Sequence, residues 1–186
     1  GKLFWYLVLA TIPGALIGFM LEDAAETIFR QPVLIAAMLM VLGALLYAAD
    51  RRGKKQIDVE NISLRTSFLI GLSQALAIIP GVSRSGVTMT TALALGMTRE
   101  GAARFSFLLS APIILGAALG KVPGLAANPS VIDAGFLTGM LVACASGLAA
   151  IGFLLRYVQT RTFLPFVMYR FAVGALVLGV SFYHGA

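Results

Sequence analysis

Gln74-Ala75-Leu76-Ala77-Ile78-Ile79-Pro80-Gly81-Val82-Ser83-Arg84-Ser85-Gly86-Val87-Thr88 sets a helix breaker and a charge between two apolar stretches. Thr66 to Ile79 precedes the break and Ser85 to Met97 follows it. Each is shorter than the ~20 residues a helix needs to cross ~30 Å of hydrocarbon. The pair therefore reads as a re-entrant hairpin over residues 66–98: a helix enters, a tight loop turns at depth, and a second helix returns. The competing reading is one broken helix crossing the whole bilayer. Irregular backbone at membrane depth must be buried in protein or line a wet cavity, so the loop is expected to line a site.

The residues of the loop fit an anion. Pro80-Gly81 ends one helix, and Ser83 is a good N-cap for the next. The first-turn N–H groups of that helix have no partner within it, and they face outward with the positive end of the helix dipole. Arg84 adds a planar fork suited to phosphate oxygens, and Ser83, Ser85 and Thr88 add hydroxyls. Gly81 and Gly86 let the backbone approach a ligand closely. An arginine at bilayer centre costs about 2.5–3.5 kcal/mol even on the lenient insertion scale, so it needs a partner. No acidic residue lies within the hairpin, and Glu100 is beyond its end. A bound phosphate supplies the partner. The plainer alternative, in which Arg84 snorkels to the interface and the serines only cap a helix, fits less well between two half-length apolar helices.

Working outward, Leu3 to Leu21 is long enough to span, with Pro13-Gly14 predicting a kink in its middle. An acidic stretch, Glu22 to Arg30, leads to a second span, Val33 to Ala49, opened by Pro32. The basic loop Asp50-Arg51-Arg52-Gly53-Lys54-Lys55, with Arg65 after it, is placed in the cytoplasm by the positive-inside rule. Beyond the hairpin come Phe105 to Gly120, an outer loop from Lys121 to Ser130, Gly135 to Leu155 with Arg156 and Arg161 at its cytoplasmic end, and Phe163 to Tyr183. The expected fold is an all-α membrane protein of about five transmembrane helices plus one re-entrant hairpin.

Composition agrees. Of the 186 residues 59% are hydrophobic and 12% charged, against about 45–50% and about 25% in soluble domains. The net charge of +6 comes from basic residues between apolar segments, which points to lipid headgroups and topology rather than nucleic acid. A single cysteine, Cys144, excludes an intramolecular disulfide and a thiolate metal site. His184, near the end, reads as incidental. The chain enters an apolar run directly after Gly1, which reads as a boundary within a longer protein.

Two more polar residues lie within apolar helices. Gln74 could bind ligand or bond to a neighbouring helix, and Arg170 could meet substrate, meet a carbonyl or snorkel. Both are carried as substrate-binding candidates. Phe105-Ser106-Phe107 and the glycines of the later spans read as packing surfaces. A faint repeat pairs Pro32 and Gly43-Ala44-Leu45-Leu46 with Pro165 and Gly174-Ala175-Leu176-Val177, on spans of opposite direction. That hints at an inverted repeat with a midplane site.

Pro80 to Thr88 fits the signature Pro-Gly-x-Ser-Arg-Ser-Gly-x-Thr, and with Glu100 to Pro112 and Phe163 to Phe171 the chain resembles the bacitracin-resistance family of undecaprenyl-diphosphate phosphatases. The resemblance implies a single integral membrane domain over 1–186, with 1–49 giving two spans from the end of a first repeat and 66–183 forming the second. It implies a multi-pass protein of the bacterial inner membrane that hydrolyses a prenyl diphosphate lipid, usually with a divalent cation such as Mg or Ca. Arg84, Ser83, Ser85 and Thr88 would be catalytic. Gly81, Gly86, Gln74 and Arg170 would bind substrate. The family's other signature, with Glu, paired Ser and His, finds no match here. Metal ligands, nucleophile and general acid/base are therefore expected outside these residues, and this chain alone is expected to be weak or inert. A prenyl-phosphate flippase and a non-catalytic binding fragment are the alternatives. Nothing in the pattern excludes a homo-oligomer.

Overall fold

A computed structural model describes residues 1–21 and 31–183. The acidic stretch Glu22 to Arg30 and His184 lie outside the described residues. Among the described residues seven α-helices follow in chain order: α1 (Lys2–Met20), α2 (Pro32–Arg52), α3 (Leu64–Gln74), α4 (Arg84–Ala94), α5 (Arg99–Ala127), α6 (Ala134–Thr160) and α7 (Leu164–Tyr183). Five of them, α1, α2, α5, α6 and α7, are long and apolar enough to cross a membrane. The chain is thus an all-helical, multi-pass membrane protein. Helix α6 exposes Met140, Leu141, Leu148 and Phe153, as a helix facing lipid tails should.

The helix starts follow local chemistry. Pro32 sits in the first turn of α2, where its missing N–H costs nothing. The side chains of Ser63, Ser83, Thr98 and Asp133 cap α3, α4, α5 and α6 by accepting an N–H three residues on. The outer loop expected from Lys121 to Ser130 is mostly helix, because α5 runs on to Ala127 through both Pro112 and Pro123. The apolar run stops at Gly120 in sequence, but a helix ends where its backbone bonds end. Between α3 and α4 the chain passes through a 3₁₀ turn, Ala75–Ile78, and the break at Ile79–Ser83. With 11 residues apiece, α3 and α4 are each only about 16 Å long at the helical rise.

The helices pack through glycines where their backbones meet. A Cβ on Gly71 of α3 would run into the Ala10 carbonyl of α1. A Cβ on Gly43 of α2 would touch Arg170 and Phe171 of α7, both at 3.4 Å, and one on Gly174 of α7 would meet Met40 of α2 at 2.7 Å. Between helices in lipid there is little hydrophobic drive, so such close approach supplies the contact energy. The buried core lies toward the basic end of the bundle, where Leu46, Ile70, Leu93, Phe105, Val158 and Phe163 join α2 through α7.

That end is also tied by one acid. Asp50, 4% exposed, accepts a hydrogen bond from Arg99 Nε at 2.6 Å and from the Phe163 N–H at 3.2 Å. Lys55 is 3.9 Å from the same carboxylate. One side chain thereby fastens the end of α2 to the starts of α5 and α7. The loop after α2 is held against the end of α4, since Gln56 and Ile57 donate their N–H groups to the Gly96 carbonyl and Thr98 donates to Ile57.

Candidate phosphate-binding site

The break before α4 has two residues with positive φ, Gly81 at 92° and Ser83 at 62°. Gly81 is obligatory twice over: φ favours glycine, and a Cβ would strike the Ile35 carbonyl of α2. Ser83 is the more informative, because a non-glycine residue rarely sits there and such strain gathers at functional positions. Its conformation turns its Oγ back to accept the Gly86 N–H at 3.3 Å. The Ser85 hydroxyl lies 3.5 Å from that of Ser83, and both serines are exposed. The N–H groups of Arg84 and Ser85 in the same turn have no acceptor within the helix.

Two guanidiniums attend this turn. Arg84 is its first residue, half-buried, and no described residue pairs with its side chain. Arg170 comes from the middle of α7 and is 8% exposed. Its Nη1 donates to the Val82 carbonyl at 3.4 Å. Its guanidinium lies over Gly86, where a Cβ would collide with Nη2 and stand 3.0 Å from Cζ. One long hydrogen bond leaves most of the N–H donors of Arg170 without a described acceptor. No described carboxylate is within ion-pair distance of either arginine. The first turn of α4 thus carries Arg84, two exposed hydroxyls and the Arg170 guanidinium over Gly86, with no carboxylate among the described residues to balance the charge.

The remaining candidates are placed differently. Thr88 is 1% exposed and faces α5, where its Oγ1 lies 2.7 Å from the Ser106 hydroxyl. It also donates back to the Arg84 and Ser85 carbonyls, at 2.9 and 3.2 Å. It holds α4 in place and does not stand in the opening beside Ser83 and Ser85. Gln74 is 4% exposed and lies against α1, its Nε2 only 2.8 Å from where a Gly14 Cβ would be. Both polar atoms of its amide lack a partner among the described residues. The sequence reads Ser106 only as part of a packing surface and Asp50 only as the start of a basic loop, and gives neither its bonding role. A hydroxyl between two phenylalanines and a lone acid opening a basic run were the available signals.

A family model described as Bacitracin resistance protein BacA matches residues 1–176. The chain belongs to the BacA family. Among curated BacA relatives, the undecaprenyl-diphosphatase of Pelotomaculum thermopropionicum is 52% identical over 177 residues, covering 95% of this chain and 66% of the relative. That of Moorella thermoacetica is 50% identical over 180 residues, 97% of this chain and 68% of the relative. That of Desulforudis audaxviator is 46% identical over 185 residues, the whole chain and 70% of the relative. The chain thus spans about two thirds of the length of the curated BacA proteins it matches.

Proposed function

We propose that this chain carries the diphosphate-gripping part of an undecaprenyl-diphosphate phosphatase. The reaction adds water to the terminal phosphorus, breaks its bond to the bridging oxygen, and yields the prenyl monophosphate and inorganic phosphate. The observation that carries the reading is the convergence of Arg84 and Arg170 on the first turn of α4, with no described counter-ion. Phosphoryl transfer depends mainly on positioning and on neutralising charge spread over phosphate oxygens. Arg84 would fork onto the phosphate, Arg170 would approach across Gly86, and the Ser83 and Ser85 hydroxyls with the free amides would orient it. Thr88, through Ser106, positions the helix that presents them. Gly81 and Gly86 would serve the site through the protein, one letting the break pass the Ile35 carbonyl and the other leaving room for the Arg170 guanidinium, and Gln74 would offer its unpartnered amide against α1.

The family resemblance implies a divalent cation. The groups gathered here are guanidiniums, hydroxyls and amides, whereas such a cation takes carboxylate or carbonyl oxygens. This donor set does not fit it.

The whole of 1–186 is one membrane domain in this reading, multi-pass in the bacterial inner membrane, with the basic end cytoplasmic. Helices α3 and α4 form a re-entrant hairpin. Support comes from their lengths and from Gly96, whose Cβ would lie 3.8 Å from Lys54 at the basic end. An inverted repeat relates α2 to α7. The reciprocal glycine contacts support it: Gly43 meets Phe171 and Gly174 meets Met40, both glycines opening the Gly-Ala-Leu runs.

The test is phosphate release from a C55 prenyl diphosphate in detergent, where no compartments exist and a flippase would release none. These residues, carried within a full-length BacA protein that supplies nucleophile and general acid/base, are compared with the same protein bearing Arg84→Ala. Release that falls by about 10²–10³ in the variant, as for loss of one charge-stabilising donor, supports the reading. Equal release from both would remove Arg84 from the site.

A further inference from the structure

At the other end of α4 from Arg84, a groove of about 780 Å³ runs between α2 and α4. Leu45, Ala48, Ala94 and Leu95 form its apolar walls, and Arg52 and Lys54 its lip. We propose that this groove binds one anionic glycerophospholipid, its phosphate on Arg52 and Lys54 and an acyl chain along the apolar walls. The proposal rests on the reading of the basic end as the cytoplasmic membrane boundary, and it assigns a lipid site separate from the one that would hold the prenyl diphosphate.

Charge decides the occupant. Arg52 and Lys54 are both exposed, and no described carboxylate pairs with either. The nearest acid in sequence, Asp50, is turned inward and held by Arg99, Lys55 and the Phe163 N–H. Arg51 adds charge beside the lip, stacked on Tyr47 at 5.4 Å. The other acid equally near Lys54 in sequence, Asp58, accepts a hydrogen bond from Thr98 Oγ1 at 2.8 Å and pairs with neither lip residue, so the lip is positive. A basic lip above apolar walls, at the depth where headgroups meet acyl chains, matches an anionic lipid in both halves. The groove is also built in advance. Gly53 packs so closely on the end of α4 that a Cβ would lie 2.5 Å from the Leu93 carbonyl oxygen. The loop beyond it is bonded to Gly96 and Thr98. A ligand here would order no loop on binding, which favours affinity.

The experiment is native mass spectrometry of the purified protein in detergent, with phosphatidylglycerol and phosphatidylcholine of identical acyl chains as probes. One phosphatidylglycerol is expected to be retained at least tenfold over phosphatidylcholine. The Arg52→Gln/Lys54→Gln variant should lose that preference. Ala94→Trp, which fills the groove, should lose retention of both lipids. Arg156→Gln/Arg161→Gln, basic residues at the same end but off the groove, should keep the preference. Equal retention of the two lipids by the unaltered protein would overturn the proposal. So would a preference that survives Arg52→Gln/Lys54→Gln, or one lost equally with Arg156→Gln/Arg161→Gln, which would mean diffuse charge rather than a groove. Thermal melting of each variant establishes that it is folded. Phosphate release is a separate readout, so failure here leaves the phosphatase reading standing.

Discussion

Gly86→Ala isolates the role of Arg170 without touching either arginine. Gly86 is the third residue of α4, and an added methyl would enter the space held by the Arg170 guanidinium while standing 3.3 Å from the Ser83 Cβ. The obstacle is the far end of a side chain, so the guanidinium moves and the helix stays. Moving it breaks the 3.4 Å bond to the Val82 carbonyl. A hydrogen bond to a charged group is worth about 1.5–3 kcal/mol, and one this long belongs at the low end. Alanine for glycine in a helix returns up to about 1 kcal/mol, so net stability should change by about 1 kcal/mol or less. Affinity for prenyl diphosphate should fall much further. Losing one guanidinium–phosphate interaction of about 1.5–3 kcal/mol weakens binding about 10- to 150-fold. The assay is equilibrium binding of a C55 prenyl diphosphate in detergent beside a thermal melt, with Arg170→Ala and the double variant. If the methyl acts only by displacing Arg170, the double variant binds no worse than Arg170→Ala. Additive losses, or unchanged affinity in Gly86→Ala, would refute the reasoning.

Substitutions at three other positions probe the frame around the site. Asp50→Asn should cost about 2 kcal/mol of stability, below the 3–5 kcal/mol of a fully buried pair because Arg99 keeps a quarter of its exposure; a shift under about 0.5 kcal/mol in unfolding would deny Asp50 its fastening role. Thr88→Val removes the 2.7 Å bond to Ser106 and should cost about 1 kcal/mol. Thr88→Ser should restore both stability and phosphate release, and a serine variant as impaired as valine would show that the hydroxyl is not what matters. Gly71→Leu forces α3 off the Ala10 carbonyl and should destabilise by about 3 kcal/mol or more, read as a lowered melting temperature; an unchanged melt would mean that α1 and α3 do not pack this closely.

Much of this was legible in the chain. Long apolar runs with basic ends give the five spanning helices directly, because hydropathy and length are all a span requires. Pro80-Gly81 and Ser83 mark the break and the cap because each acts through local chemistry. The far end of α5 was misread, since Pro123 and Gly124 look like a loop but a helix can carry them. Tertiary pairing was not legible either. Nothing in sequence says that Thr88 meets Ser106, that Gln74 lies on Gly14, or that Asp50 reaches Arg99 and Phe163, because those contacts join residues on different helices. Arg170 showed itself by cost alone, as a charge in a span, and only the fold shows it over Gly86.

The most direct test of the central claim is equilibrium binding of a C55 prenyl diphosphate to the 186-residue chain in detergent, comparing it with Arg84→Ala and Arg84→Lys. Arg84→Ala should weaken binding about 30-fold or more, the loss of a charged phosphate contact of about 2 kcal/mol. Arg84→Lys should fall between, since an ammonium keeps the charge and loses the planar fork. Binding to Arg84→Ala as tight as to the unaltered chain would contradict the claim that the first turn of α4 grips the diphosphate.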